Sequence, residues 1–303
     1  MKRREMLVSS AAALALSQFP LGWVKAADKP KRKILFFTKS GGFEHSCIRR
    51  NGDNPSHADQ VLTDLGKQHD FEVVASKDGR LFDSDISGFD AFFFQTQGDL
   101  LTVGNDKQPA MSAEGKKRLL DAVASGKGFL AAHCGADTCH SPGHDGGKQR
   151  QRQTDVDPYI AMVGGEFISH GPQQKARQVI VSPKFPGVAG VADKDTPDSF
   201  KINDEWYSLK NFADNLHVIL VQDTQGMEGR DYDRPPFPAT WARLNNKGRV
   251  FYTSMGHRED VWSSPKFQQI LLGGLSWAVG NVDADVTPNI KQVTPGADVM
   301  PPS

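Results

Sequence analysis

"SAEGKKRLLDAVASGKGFLAAHCG", residues 112–135, reads as two elements joined without a break. Ser112 caps a helix whose apolar positions recur at helical spacing, and Gly126 stands near its end. "GFLAAH" follows as a strand that is apolar on both faces, the pattern of a strand with helices above and below it. Polar residues then arrive abruptly: His133, Cys134 and, after Gly135, Asp137, Cys139 and His140.

The same grammar repeats upstream. "KRKILFFTKSGGFEH" is a doubly buried strand over Ile34 to Thr38 running into a glycine-rich loop. "PSHADQVLTDLGKQHD" (55–70) is a helix with Ala58, Val61, Leu62 and Leu65 on one face. "FEVVAS" (71–76) and "FDAFFFQTQGD" (89–99) are strands. Alternating strands and helices imply an α/β fold with a mostly parallel central sheet and right-handed crossovers. Ligands of such sheets bind beyond the carboxyl ends of the strands. Three of those ends carry unusual polar groups: Gly41 to His45, Gln95 to Asp99, and His133 to Gly135.

The second half is less regular. "TDVDPYIAMVGGEF" (154–167) reads as a helix closed by paired glycines. Strands are expected at 176–182, 200–209, 217–223, 239–245 and 248–254, and a closing helix at 264–281. The 141–154 insertion is polar and glycine-rich, a candidate lid, and the tail 282–303 reads as poorly ordered.

The first 26 residues resemble an export signal: Arg3-Arg4, a small apolar run, and a cleavage position after Ala26. The expected location is therefore periplasmic or extracellular, with no membrane span in the mature chain. Lysine plus arginine (36) equals aspartate plus glutamate (36), which gives no electrostatic reason to expect a nucleic-acid partner. In an oxidising compartment Cys134 and Cys139 could form a disulfide, with Cys47 left over.

Several chemistries fit the polar residues. Small residues flank both His133 and Cys134, so either could project from a sharp turn at the strand end; Cys134 would then be a nucleophile. His133 with Asp137, or Cys139 and His140 with His144, could hold a metal. In "DEWY" (204–207) Glu205 and Tyr207 share a strand face and offer an acid–base pair, and His257 follows a strand and a glycine. Phe43, Trp206, Tyr207 and Trp262 could stack on sugar rings. His57, His69, His144 and His217 read as surface or capping residues.

In order along the chain, "GFEH", "GKGFLAAHCGADT", "MVGGEFISHGP", "DEWY", "PATWARLNNKGRVFYTSMGH" and "LLGGLSWAVGN" resemble the ThuA-like (trehalose-utilisation) family over about residues 33–281. The resemblance implies one domain with a flavodoxin-like three-layer sandwich of the class I glutamine amidotransferase-like kind. It also implies a role in carbohydrate metabolism, on trehalose, other glycosides or keto-sugars. The family's recurring polar positions fall on His45, His133, Asp137, His170, Glu205, Tyr207 and His257. Members usually carry a small residue where Cys134 stands, which favours His133 as the cleft residue. "HGP" at 170–172 departs from the family's "HP".

These readings combine into one expectation: an enzyme of isomerase, lyase or hydrolase type working by proton transfer. His133, His257, Glu205 and Tyr207 are its catalytic candidates, and His45, Gln97, Asp137, His170 and Trp206 its substrate-binding candidates. The cofactor left open is a divalent metal, held by His133 and His170 if present. Two alternatives stand beside it: a carbohydrate-binding protein without catalysis, and a Cys134-dependent amidohydrolase.

Overall fold

In the computed structural model, which describes residues 31–144 and 150–302, phenylalanines mark the centre of the sheet. Phe36 and Phe37 on β1 (Arg32–Phe37), Phe92, Phe93 and Phe94 on β3 (Ala91–Phe94), and Phe129 on β4 (Gly128–Ala132) are all fully buried. Side chains alternate across a strand, so these rings divide between two cores. Phe36 and Phe93 face one, with Leu62 of α1 (His57–His69) and Leu271 and Leu275 of α5 (Pro265–Ala278). Phe37, Phe92, Phe94 and Phe129 face the other, with Leu119 and Val123 of α2 (Ala113–Ala124) and Ile160 of α3 (Pro158–Val163). The sheet lies between two helical layers.

The remaining strands are β2 (Phe71–Ser76), β5 (Glu166–His170), β6 (Gln174–Ile180), β7 (Ser199–Asp204), β8 (Tyr207–Lys210), β9 (His217–Gln222), β10 (Phe237–Asn245) and β11 (Gly248–Thr253). The main sheet has nine strands in the order β2-β1-β3-β4-β11-β10-β9-β6-β7. Its first five strands are parallel, and its last four run alternately antiparallel. "Mostly parallel" therefore holds for the first part only. Tight hairpins such as β10–β11, turning at Asn245 to Gly248, forced the change of direction.

Two expected elements are corrected. The strand expected at 200–209 breaks at Glu205 and Trp206: β7 ends in the main sheet, and β8 pairs with β5 in a separate two-stranded ribbon. The "GGEF" end of the expected 154–167 helix supplies that ribbon's other strand, because Gly164 (φ +91°) stops α3. The tail expected to be poorly ordered is instead packed. Asn289 brackets Val218 of β9, accepting from its N–H (2.6 Å) and donating to its carbonyl (3.1 Å). Arg234 donates to the Ala297 carbonyl (2.6 Å), and Ile290 is buried at the start of α6 (Ile290–Val293). Composition marked the tail as polar, but its order comes from satisfying backbone groups of β9. Residues 1–26, read as an export signal, lie outside the described residues, as do 145–149 of the 141–154 insertion. Among the described residues no helix is long and apolar enough to cross a membrane.

The seam between α5 and the loop before β7 gives a stability test. A Cβ on Gly273 would stand 2.0 Å from the Pro186 carbonyl oxygen and 2.6 Å from the Gly187 Cα, both backbone atoms. Gly273→Ala is expected to cost about 1–3 kcal/mol through overpacking, read as a lowered urea midpoint. An unchanged midpoint would mean that the 183–190 loop moves aside freely.

Candidate functional site

β4 and β11 are neighbours at the middle of the sheet, and both end on the same edge as β1 and β3. β7 also runs toward this edge, since three antiparallel steps separate it from β10, which is itself reversed. Residues just beyond these ends therefore converge: His45 after β1, His133 after β4, Glu205 after β7 and His257 after β11.

His133 begins a one-turn 3-10 segment (His133–Ala136) with φ +44°, a conformation uncommon for a residue with a Cβ. Gly135 lets this turn close, since a Cβ there would sit 2.7 Å from that of Ala131. The imidazole is fully buried. Its Nδ1 lies 3.1 Å from the Ser254 carbonyl oxygen, which can only accept, so Nδ1 carries the proton. In the neutral ring Nε2 keeps a lone pair that can accept from His257 Nδ1 (3.3 Å), and in the imidazolium it donates to Glu205 Oε2 (3.4 Å).

Glu205 is the hub. Oε2 also lies 3.2 Å from His257 Nδ1, and Oε1 lies 3.5 Å from His170 Nδ1. Burial opposes its ionisation, but hydrogen bonds and charge from His133 and His257 more than offset that and hold the carboxyl well below the usual range. Asp204, buried next to it, accepts from the backbone N–H groups of Glu205 (3.0 Å) and Gly256 (2.8 Å). It thus ties together the two segments that carry Glu205 and His257, and burial raises its own carboxyl to about 6. His45 packs edge-on against His133 and His257, with centroids 4.9 and 5.0 Å apart. Burial and the neighbouring imidazoles hold it well below its ordinary value, so it is neutral, and its Nδ1 has no partner. The Tyr207 ring lies tilted against His133, with centroids 4.1 Å apart. Its phenol is pushed well up by burial and stays protonated.

Beside this cluster lies a cavity of about 500 Å³, lined by Gln97, Asp137, His140, Phe167 and His170 among others. Gln97 accepts from the Gly42 and Phe43 N–H groups and donates to Asp137 (2.9 Å), so the β1 loop and the cavity wall share one residue. Asp137 and Glu166 clamp His140 at 2.7 and 3.3 Å. Burial alone would depress His140, but the hydrogen bonds from both carboxylates raise it to about 9. Both ring nitrogens of His140 are thus engaged by carboxylates. The mutually close donors here are Asp137, His140 and His144, and Cys139 is not among them. A larger cavity, about 700 Å³, lies at the opposite edge of the parallel strands against Arg32, Lys127 and Arg249, far from the histidines.

The sequence-derived candidates thus fall into two groups, His45, His133, Glu205, Tyr207 and His257 in the cluster, and Gln97, Asp137 and His170 on the cavity. Trp206 belongs to neither. It is buried in the core and donates to the Gln174 carbonyl (2.9 Å), because the strand break turns it away from Glu205 and Tyr207. Of the four aromatic stacking candidates only Phe43 is exposed, at 60%, with its ring against His45. His133 and His170 do not fall in one mutually close set; among the described residues two such sets stand, His45, His133, Glu205 and His257, and Asp137, His140 and His144. Two residues were missed. Gln173 places its side-chain amide 2.9 Å from His257 Nε2, and Arg258 holds that amide through Oε1 (2.6 Å). Their signals were adjacency alone, three residues after His170 and one after His257.

Cys134 faces the core opposite the cleft, fully buried, and burial pushes its thiol well up. Cys134 and Cys139 are both free thiols. A nucleophilic thiolate needs the reverse environment. In the folded protein Cys134 is therefore expected to resist iodoacetamide and to label only on unfolding, as mass spectrometry of the peptide would show. Rapid native labelling would restore the amidohydrolase reading.

The trehalose-utilisation (ThuA) family model matches residues 33–278, most of the chain. This protein belongs to the ThuA family. Solved structures agree at the level of the fold. A putative ThuA-like protein from Parabacteroides merdae is 16% identical, with a TM-score of 0.58 over 84% of this chain and 92% of its own. One from Bacteroides uniformis is 14% identical, with a TM-score of 0.56 over 84% and 94%. Comparison with curated proteins gave no match. Within the ThuA fold, then, the described residues place three histidines and one glutamate at the sheet edge.

Proposed function

We propose that this ThuA family protein acts on a carbohydrate bearing a carbonyl, a keto-sugar or a sugar in its open form, by proton transfer. The observation that carries the reading is Glu205, one ionised carboxylate shared by His133, His257 and His170 beside a polar cavity. Gln97 and Asp137 offer the donors and acceptors that sugar hydroxyls need, and Phe43 offers an apolar face at the rim. His170 is half-exposed and can exchange protons with solvent, so it suits removal of the proton next to the carbonyl. The oxyanion that develops then lies toward the phenol of Tyr207, which stays protonated and can donate to it. Reprotonation of the neighbouring carbon completes an isomerisation, and loss of a substituent completes an elimination. The five parallel strands, in the order β2-β1-β3-β4-β11, support a flavodoxin-like core. Cys134 follows the strand whose end would carry the nucleophile in a glutamine amidotransferase relative, but it faces the core.

The test is incubation with trehalose, other glucosides and their 3-keto derivatives in deuterated water, followed by NMR. Deuterium at the carbon beside the carbonyl is the expected result. Ligand-induced shifts without exchange or product would overturn catalysis and leave a binding protein.

A further inference from the structure

We propose that His45, His133, His257 and Glu205 form a mononuclear divalent-metal centre. The inference concerns the resident ion and stands whether or not the substrate is a sugar.

The first argument is geometric. One ligand atom from each of the four residues lies within 4.8 Å of all the others. His133 Nε2, His257 Nδ1 and Glu205 Oε2 form a triangle with sides of 3.3, 3.2 and 3.4 Å. Metal–ligand bonds of about 2.0–2.1 Å at tetrahedral angles put neighbouring ligand atoms ~3.3–3.4 Å apart. Separation alone does not set the cluster apart, since His140 pairs with Asp137 at 2.7 Å and with Glu166 at 3.3 Å. What sets it apart is that three imidazoles converge on one carboxylate.

The second argument is about lone pairs. The Ser254 carbonyl takes the Nδ1 proton of His133, which leaves Nε2 free to coordinate. Such an outer hydrogen bond is the usual companion of a metal-bound imidazole. His45 is 2% exposed and its Nδ1 meets no hydrogen-bond partner. A buried imidazole nitrogen left unpaired costs free energy unless something on the site satisfies the ring. An ion on His257 Nδ1 moves that ring's proton to Nε2, so Gln173 must then turn its amide oxygen toward it. That turn takes Oε1 away from Arg258, whose guanidinium must then shift as well.

The donor set limits the metal. Three imidazoles and one carboxylate suit zinc, nickel, cobalt, iron or manganese, and suit neither magnesium and calcium nor copper(I). One carboxylate leaves a dication with net charge of about +1, which favours an oxyanion ligand. Four protein ligands fill a tetrahedral shell, so a substrate oxygen would have to enter as a fifth ligand, from the cavity side where His170 stands beside Glu205.

The experiment uses the full chain without a histidine tag. The protein is stripped with a chelator and titrated with cobalt(II), read by its visible absorption, and metal in untreated protein is measured by mass spectrometry. One equivalent, with bands lost in both His45→Asn and Glu205→Gln but kept in His140→Asn, is the expected result. Circular dichroism and urea unfolding establish that each variant is folded. No stoichiometric band in the wild type overturns the proposal, independently of any variant. Bands that survive in folded Glu205→Gln, or that vanish only in His140→Asn, overturn it as well. Because binding is read without substrate, the metal centre and the sugar reading fail separately.

Discussion

Glu205→Gln is expected to lower the rate of exchange or turnover about 10³-fold, at the upper end of what loss of one preorganised electrostatic group costs. Glutamine keeps the shape but removes the negative charge. It also presents an amide N–H₂ where His257 and His170 need an acceptor. One substitution thus disturbs three imidazoles at once, since both carboxylate oxygens are engaged. A second effect follows from linkage. The carboxyl is held below its usual range when folded, so its ionised form stabilises the native state above the unfolded pKa, and that contribution is lost as pH falls. Glu205→Gln should therefore show a shallower acid limb of stability as well as lost activity. Exchange within about tenfold of the wild type, in a folded variant, would remove Glu205 from the mechanism.

Glu166→Ala is expected to cost about 3–5 kcal/mol, the range for breaking a buried charged network on one side. That is a large share of the ~5–15 kcal/mol that a domain commonly has. Glu166 is fully buried and accepts from the Ser141 N–H (2.9 Å), the Ser141 hydroxyl (2.7 Å) and Asn211 (2.6 Å), and it faces His140. Burial would raise its pKa, but those bonds override it and bring it to about 2. Its stabilisation is complete above the ordinary value of 4.5 and is lost as pH falls toward 2. His140 has the opposite sign. Its stabilisation is complete below 6.5 and is lost as pH rises through about 9. The pair therefore contributes most between pH 4.5 and 6.5. Urea unfolding from pH 3 to 9 reads both limbs, and Glu166→Gln should flatten the acid one. A loss under 1 kcal/mol in Glu166→Ala would show that the Ser141 and Asn211 donors find other partners.

The parallel half of the fold was legible because burial on both faces writes itself as unbroken apolar runs, as in Ile34 to Phe37 and Phe92 to Phe94. The cluster was legible because its histidines follow those runs directly. The rest depended on contacts that periodicity does not encode. β5 and β8 are short, and each is defined by the other rather than by its own pattern. Trp206 looked like a site residue because it sits between two of them, and a break in the strand sent it into the core. Gln173 acts through a hydrogen bond to His257, 84 positions away. The tail's order rests on Asn289 reaching the backbone of β9, which no composition count shows.

The link between β7 and β8 is two residues long, Glu205 and Trp206, and it joins the main sheet to the ribbon that carries Phe167 and His170. Trp206 anchors that link in the core, while His45, His133 and His257 stand on the large sheet. The architecture thereby divides labour. His170 and Tyr207 ride on the ribbon. An exchange at Phe167 can therefore reshape the cavity wall while His45, His133 and His257 keep their footing, whereas a shift of the whole ribbon moves His170 and Tyr207 relative to them.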